Sequence, residues 1–175
     1  MPQEYSFTSH WLLPVSVEEC WARCEAALMA GEVPWWPAVR LEPRRTALAP
    51  GDIVHLRVRS PWGYRLRVVL TVTDLVPARR LAAVSEGDLV GKGSLHLASA
   101  SAPATGARLT WVWEVSATRR WMRLTAPVLR PVFAAAHTLI MRRGERGLIA
   151  HLTRGSDVRK AGNRGGRALR RRRRG

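Results

Sequence analysis

From Val39 to Ser116 the chain runs through one short strand-like segment after another, each closed by a turn signal, and this succession leaves few folds open. Val39 to Leu48 ends at Pro50-Gly51, Ile53 to Arg59 at Ser60-Pro61-Trp62-Gly63, and Tyr64 to Leu75 at Pro77. Leu81 to Glu86 and Leu89 to Ala98 are separated by Gly87-Asp88, and Ala107 to Ala117 completes the series. The period of two is clean where Tyr64, Leu66, Val68, Leu70 and Val72 alternate with Arg65, Arg67, Thr71 and Thr73, as a half-buried strand requires. Connections this short join antiparallel neighbours, because a parallel pair needs a crossover of a dozen residues or more. Gly91 and Gly93 inside one run predict bulging or sharp curvature there.

The flanks of this series read differently. Tyr5 to Leu13 is a further strand, with Phe7, Trp11 and Leu13 on one face, closed by Pro14. Ser16 and Glu19 then have the spacing of a capping box, and Val17, Cys20, Trp21, Cys24, Ala27 and Leu28 recur at helical intervals. Gly31, Pro34, Trp35, Trp36 and Pro37 follow, which allows only a turn or a broken second helix. Helical periodicity returns through Leu129, Val132, Phe133, Ala136, Ile140, Leu148, Ile149 and Leu152. Pro127 and Pro131 place the start of the continuous helix near residue 131. The element order is therefore an α+β plan: a curved antiparallel sheet of about six to seven strands around a long carboxy-terminal helix, with two short helices after the first strand.

Net charge divides the chain. The sequence carries +16, yet ten basic residues against one acid, Asp157, fall between Arg154 and Gly175, so more than half of that charge lies in a short tail. The tail holds almost no large apolar residue and five glycines, a composition that does not bury enough surface to offset ordering entropy. Residues 1–153 are expected to form one domain and residues 154–175 a disordered Arg-rich extension. Arg170, Arg171, Arg172, Arg173 and Arg174 could hold an anionic membrane or nucleic acid, or could be a solvated extension of a chain with 27 Arg and two Lys. No aromatic interrupts the five arginines, so base stacking is not expected.

Other classes are excluded more directly. The most apolar stretch, Leu124 to Met141, is broken by Pro127, Arg130 and Pro131, so no transmembrane segment is expected. The first residues lack the charged start and apolar run of a secretory signal, which points to a cytoplasmic protein. Cys20 and Cys24, one helical turn apart, are expected as unpaired thiols. The five histidines are scattered and no ligand-spaced Cys or His pair occurs, so neither a metal nor another cofactor is expected. Gly87 lies between strands and Gly91 and Gly93 within the next one, without the following helix that would hold phosphate.

The order of elements, Val17-x-x-x-Trp21 in the first helix, Trp35-Trp36-Pro37 after it, Gly87-Asp88-Leu89-Val90-Gly91-Lys92-Gly93 between strands, and His137-x-x-x-Met141-x-x-Gly144-Glu145-x-Gly147-Leu148 in the last helix together resemble the polyketide cyclase/dehydrase and lipid-transport proteins. These belong to the START-like, helix-grip superfamily also called SRPBCC. The resemblance covers Tyr5 to Leu152 and implies an apolar cavity between sheet and long helix that takes lipids, sterols, polyketides or similar small hydrophobic molecules. No catalytic set is shared across that superfamily, so none is carried over, and the Arg-rich tail departs from its pattern.

Within that frame, the ligand-binding candidates are Trp35, Trp36 and Trp62 in turns, Tyr64 at a strand start, and Phe133, His137 and Met141 on one stripe of the last helix. Trp21, Trp111 and Trp113 are periodic and expected in the core. His137 could orient a polar ligand group or move a proton, with a core packing role as the favoured alternative. Glu114 becomes a candidate acid with a raised pKa if the Trp111–Trp113 face points outward; otherwise it is a solvated strand charge, the favoured alternative. Asp88 is expected as a turn residue. The leading expectation is a binder of a small hydrophobic molecule. A cyclase or dehydratase working through His137 or Glu114 is the first alternative, and an adaptor attached to anionic surfaces by its tail is the second.

Overall fold

A computed structural model of the protein describes residues 4–43, 46–100, 106–119, 125 and 131–154. Strand β1 (Glu4–Leu13) leads into helix α1 (Val17–Ala30), and six strands follow: β2 (Val39–Leu41), β3 (Ile53–Arg59), β4 (Arg65–Val76), β5 (Arg80–Gly87), β6 (Leu89–Ser99) and β7 (Ala107–Ala117). A helix over residues 131–154, α2, completes the described fold. The strands form one antiparallel sheet in the order β1-β7-β6-β5-β4-β3-β2. This is the α+β helix-grip plan, with β2 to β7 a simple meander and β1 returning to the edge beside β7. Of the expected Arg-rich extension, 154–175, residue 154 ends α2 and residues 155–175 lie outside the described residues.

Local chemistry sets the element ends. Ser16 begins α1 by accepting a hydrogen bond from the Glu19 amide at 3.2 Å. Gly31 ends it with φ of 68°, a left-handed conformation in which a Cβ would also strike the Pro43 backbone. A second short helix does not follow α1: residues 31–38 are turns and extended chain, because Pro34 and Pro37 remove two donors within four residues. β2 is likewise shorter than the expected Val39 to Leu48. It stops at Leu41, two residues before Pro43, whose ring nitrogen donates nothing to a ladder.

Curvature arises at a position that the glycines do not mark. The register between β6 and β7 runs without interruption through Gly91 and Gly93, whereas β4 and β5 slip between Val72 and Asp74. The glycines serve close approach instead. At Gly91 a Cβ would overlap the Glu114 carbonyl, and at Gly93 it would press on the ring of Trp113, which lies across its strand partner.

Two apolar clusters tie α2 to the concave face of the sheet. Near the carboxy end of α2, Leu148 and Leu152 pack with Trp11, Leu13 and Leu109 from the sheet and Val17 and Cys20 from α1. Near its start, Phe133 packs with Tyr5, Leu66, Val115 and Ala117. Among the described residues no helix is long and apolar enough to cross a membrane.

Candidate functional site

Alternation along β1, β3, β4 and β7 turns one row of side chains from each strand toward α2, and these rows enclose a cavity of about 310 Å³. Its wall is almost wholly apolar: Phe7 and Trp11 from β1, Val54 to Val58 at alternate positions of β3, Leu66 to Val72 likewise on β4, and Trp111 and Trp113 from β7. Phe133, Ala136, His137, Ile140 and Met141 close it from α2. Trp21, Cys24 and Leu28 of α1 contribute a further side. The volume lies at the lower end of the range of about 300 to 1,000 Å³ usual for small-molecule sites.

Six of the seven expected ligand-binding residues line this space. Trp35, Trp36, Tyr64, Phe133, His137 and Met141 all face it. Trp62 does not: it sits at the tip of the β3–β4 hairpin, 53% exposed and away from the cavity wall. The reason is local. Ser60 accepts from the Gly63 amide through its carbonyl and from the Trp62 amide through its hydroxyl, and this tight turn holds residue 62 outside the sheet.

Glu114 is also placed apart from the site, which corrects its candidacy as a buried acid. Trp111 and Trp113 occupy the inner face, so the period of two puts Glu114 on the outer one. There it pairs with Lys92, its cross-strand partner, at 2.8 Å, with 47% of its side chain exposed. Asp88 is a turn residue, as expected. It accepts from the Arg67 amide and from Arg119, both at 2.7 Å, and the Arg119 guanidinium holds its carboxyl below the usual range. Cys20 and Cys24 are free thiols, Cys20 buried among the apolar cluster. No group of three His, Cys, Asp or Glu residues that could hold a metal occurs among the described residues.

The Trp35-Trp36 turn is fastened to α2 through two glycines. The Trp36 indole donates to the Ile140 carbonyl at 3.0 Å and lies flat over Gly144, where a Cβ would fall 2.7 Å from its ring. One turn on, the Trp35 carbonyl sits so close to Gly147 that any Cβ would overlap it. These contacts give the Gly144 and Gly147 positions a physical role that their spacing alone does not reveal.

A few polar side chains interrupt the apolar wall, His137 and Trp111 among them. The Nε2 of His137 and the indole N–H of Trp111 are buried and have no hydrogen-bond partner among the described residues. His137 stacks on Phe7, with ring centroids 4.2 Å apart and planes 13° from parallel. Burial lowers its pKa to about 4, so the ring is neutral at physiological pH and keeps one donor and one acceptor nitrogen. A buried polar atom without a partner costs on the order of 1 to 3 kcal/mol, a penalty that a ligand group reaching it would remove. The Trp111 N–H as a polar contact escaped sequence reasoning, since periodicity marks its ring as core and says nothing of where its nitrogen points.

No protein-family model matches the chain, and no curated protein matches it in sequence. Solved structures do resemble it in fold. A protein from Mycobacterium smegmatis superposes with a TM-score of 0.62 at 16% identity, over 86% of this chain and 92% of the other. A protein from Thermus thermophilus gives 0.62 at 14% identity, over 84% and 99%. The Zhui aromatase/cyclase from a Streptomyces species gives 0.64 at 14% identity, over 87% and 95%. At such identities the likeness establishes a shared helix-grip fold.

Proposed function

We propose that this protein binds a small hydrophobic molecule bearing one or two polar groups in the cavity between sheet and α2, as a member of the START-like, SRPBCC superfamily. The observation that carries the proposal is the pairing of an apolar enclosure with two buried, unpartnered nitrogens, His137 Nε2 and the Trp111 N–H. Apolar burial would supply affinity and these nitrogens orientation, the usual division of labour in such sites. A hydroxyl or carbonyl that reaches either nitrogen would satisfy it. The aromatase/cyclase among the structural neighbours agrees with cargo of this chemistry.

Binding alone fits the site better than the cyclase or dehydratase alternative. An imidazole with a pKa near 4 is a weak general base at neutral pH, and Glu114, the other candidate, lies on the far face of the sheet. Titration with N-phenyl-1-naphthylamine and with naphthols tests the proposal by fluorescence. Saturable micromolar binding is expected, blocked by Ala136→Phe in protein that remains folded by circular dichroism. His137→Phe should weaken the naphthols about fivefold to tenfold and leave the unhydroxylated probe within twofold. Binding indifferent to both substitutions would refute a cavity site.

A further inference from the structure

The outer face of the same sheet carries an arrangement that neither the fold nor the cavity explains. Arg40 on β2 stands opposite Arg57 on β3, which stands opposite Arg67 on β4, and in the adjoining row Arg59 faces Arg65. All five point away from the cavity, since their neighbours Val39, Val58, Leu66 and Val68 face inward. With Arg119 they line one groove whose only acid among the described residues is Asp88, already engaged by Arg119. None of the five ladder arginines forms an ion pair with a described residue. Like charges directly opposite across strands oppose pairing, so the ladder works against the sheet that bears it.

The hairpin that ends this ladder supplies the second observation. Between Arg59 and Arg65 the chain turns through Ser60-Pro61-Trp62-Gly63, and Trp62 is the most exposed large aromatic among the described residues. Gly63, with φ of 89°, and the hydrogen bonds from the Gly63 and Trp62 amides to Ser60 hold that turn in one shape. Residues at the hairpin's base, Ser60 and Tyr64, line the cavity. A displayed indole flanked by guanidinium groups matches the headgroup layer of a bilayer, where tryptophan sits at the interface and arginine meets phosphate.

We propose that the outer face of β2, β3 and β4, led by Trp62, docks on an anionic phospholipid bilayer. Nucleic acid fits the patch less well, because single-strand binding uses successive stacking platforms and one indole offers a single one. The docked orientation brings the cavity's hairpin wall next to the phase in which a hydrophobic molecule dissolves. Docking stands independently of the cavity proposal, since it is measured without any cavity ligand.

Partition of the full-length protein is measured with vesicles of phosphatidylcholine alone and with 30% phosphatidylglycerol. Binding is expected only to the anionic vesicles, and to fall as salt screens it. Changing Arg57, Arg59 and Arg67 together to Gln should cut partition at least tenfold, and Trp62→Ala at least threefold. Changing the exposed Arg142, Arg143 and Arg146 of α2 together to Gln, an equal loss of charge, should cost less than threefold. Brominated lipid should quench a part of the fluorescence that Trp62→Phe removes. Equal losses for the two triple variants would assign binding to net charge and overturn the proposal. So would partition unaffected by the ladder substitutions, or preference for a short DNA duplex over the anionic vesicles.

Discussion

The two ends of α2 meet the same sheet and do opposite things. Toward residue 152, Leu148 and Leu152 are fully buried against Leu13 and Leu109, and α1 seals them with Val17 and Cys20. Toward residue 131, Phe133 packs on Tyr5 and His137 stacks on Phe7, and all four rings border the cavity. The distinction comes from side-chain shape. Leucines interdigitate at close to crystal density, while the aromatic rings around Phe133 meet it edge-on and border the cavity. Tyr5 and Tyr64 both meet Phe133 edge to face, with centroids 6.2 Å away. One end of the helix thus anchors the fold, with Leu148 at the cavity's limit, and the other forms more of the cavity wall.

Substitutions that truncate each end should separate these roles most sharply. Leu148→Ala is expected to lower unfolding free energy by about 3 kcal/mol, within the range of 2 to 5 for a buried leucine. Phe133→Ala, whose ring already borders empty volume, should cost less than that in chemical denaturation. Equal losses would mean that the two ends are packed alike.

The pH dependence of stability probes the cavity end alone. His137 has a folded pKa of about 4 against an ordinary value of 6.5, because burial disfavours the imidazolium. The unfolded chain takes up the proton first as pH falls, so stability is complete above pH 6.5 and is lost progressively between about 6.5 and 4. The loss contributed by this group is on the order of 3 kcal/mol. His137→Phe should flatten that part of the profile, whereas Leu148→Ala should shift the whole curve without changing its shape.

A smaller effect is expected midway, where the Trp35-Trp36 turn clasps the helix. Gly144→Ala puts a methyl against the Trp36 indole and should cost about 1 to 3 kcal/mol, with a change in near-ultraviolet circular dichroism as the indole moves. The smallest effect belongs to the outer surface. Lys92→Met with Glu114→Gln removes an exposed ion pair and should leave the unfolding midpoint and probe binding essentially unchanged.

These contrasts show what was legible before any coordinates. Alternation and turn residues specify which side chains share a face, so six strands, both helices and the inward row of Trp111 and Trp113 follow from periodicity or nearly so. Tyr64, Phe133, His137 and Met141 could be brought toward one cavity only through the resemblance in element order, because no local rule states which faces oppose each other. The place of Trp62 outside the cavity wall could not be read from sequence, because a turn tryptophan reads the same whether its turn folds over a cavity or away from it. Pairwise approaches such as Gly147 to the Trp35 carbonyl, and the orphaned indole nitrogen of Trp111, exist only once distant segments are packed. The outward arginines were visible as a pattern, but their stacking across three strands depends on register, which single-strand periodicity does not contain.

The position of β1 has a consequence in time. Strands β2 to β7 pair with sequence neighbours, and such local hairpins close quickly. β1 must find β7, with His10 and Thr110 meeting across one hundred positions of chain. Closure of so long a loop is slow compared with hairpin formation. Of the strands in this sheet, the one synthesised first is therefore among the last to pair, and until it does, β7 presents an unpaired edge. For this chain the interval before β1 docks is the period of greatest exposure to aggregation, and substitutions that slow that docking should lower soluble yield more than they lower equilibrium stability.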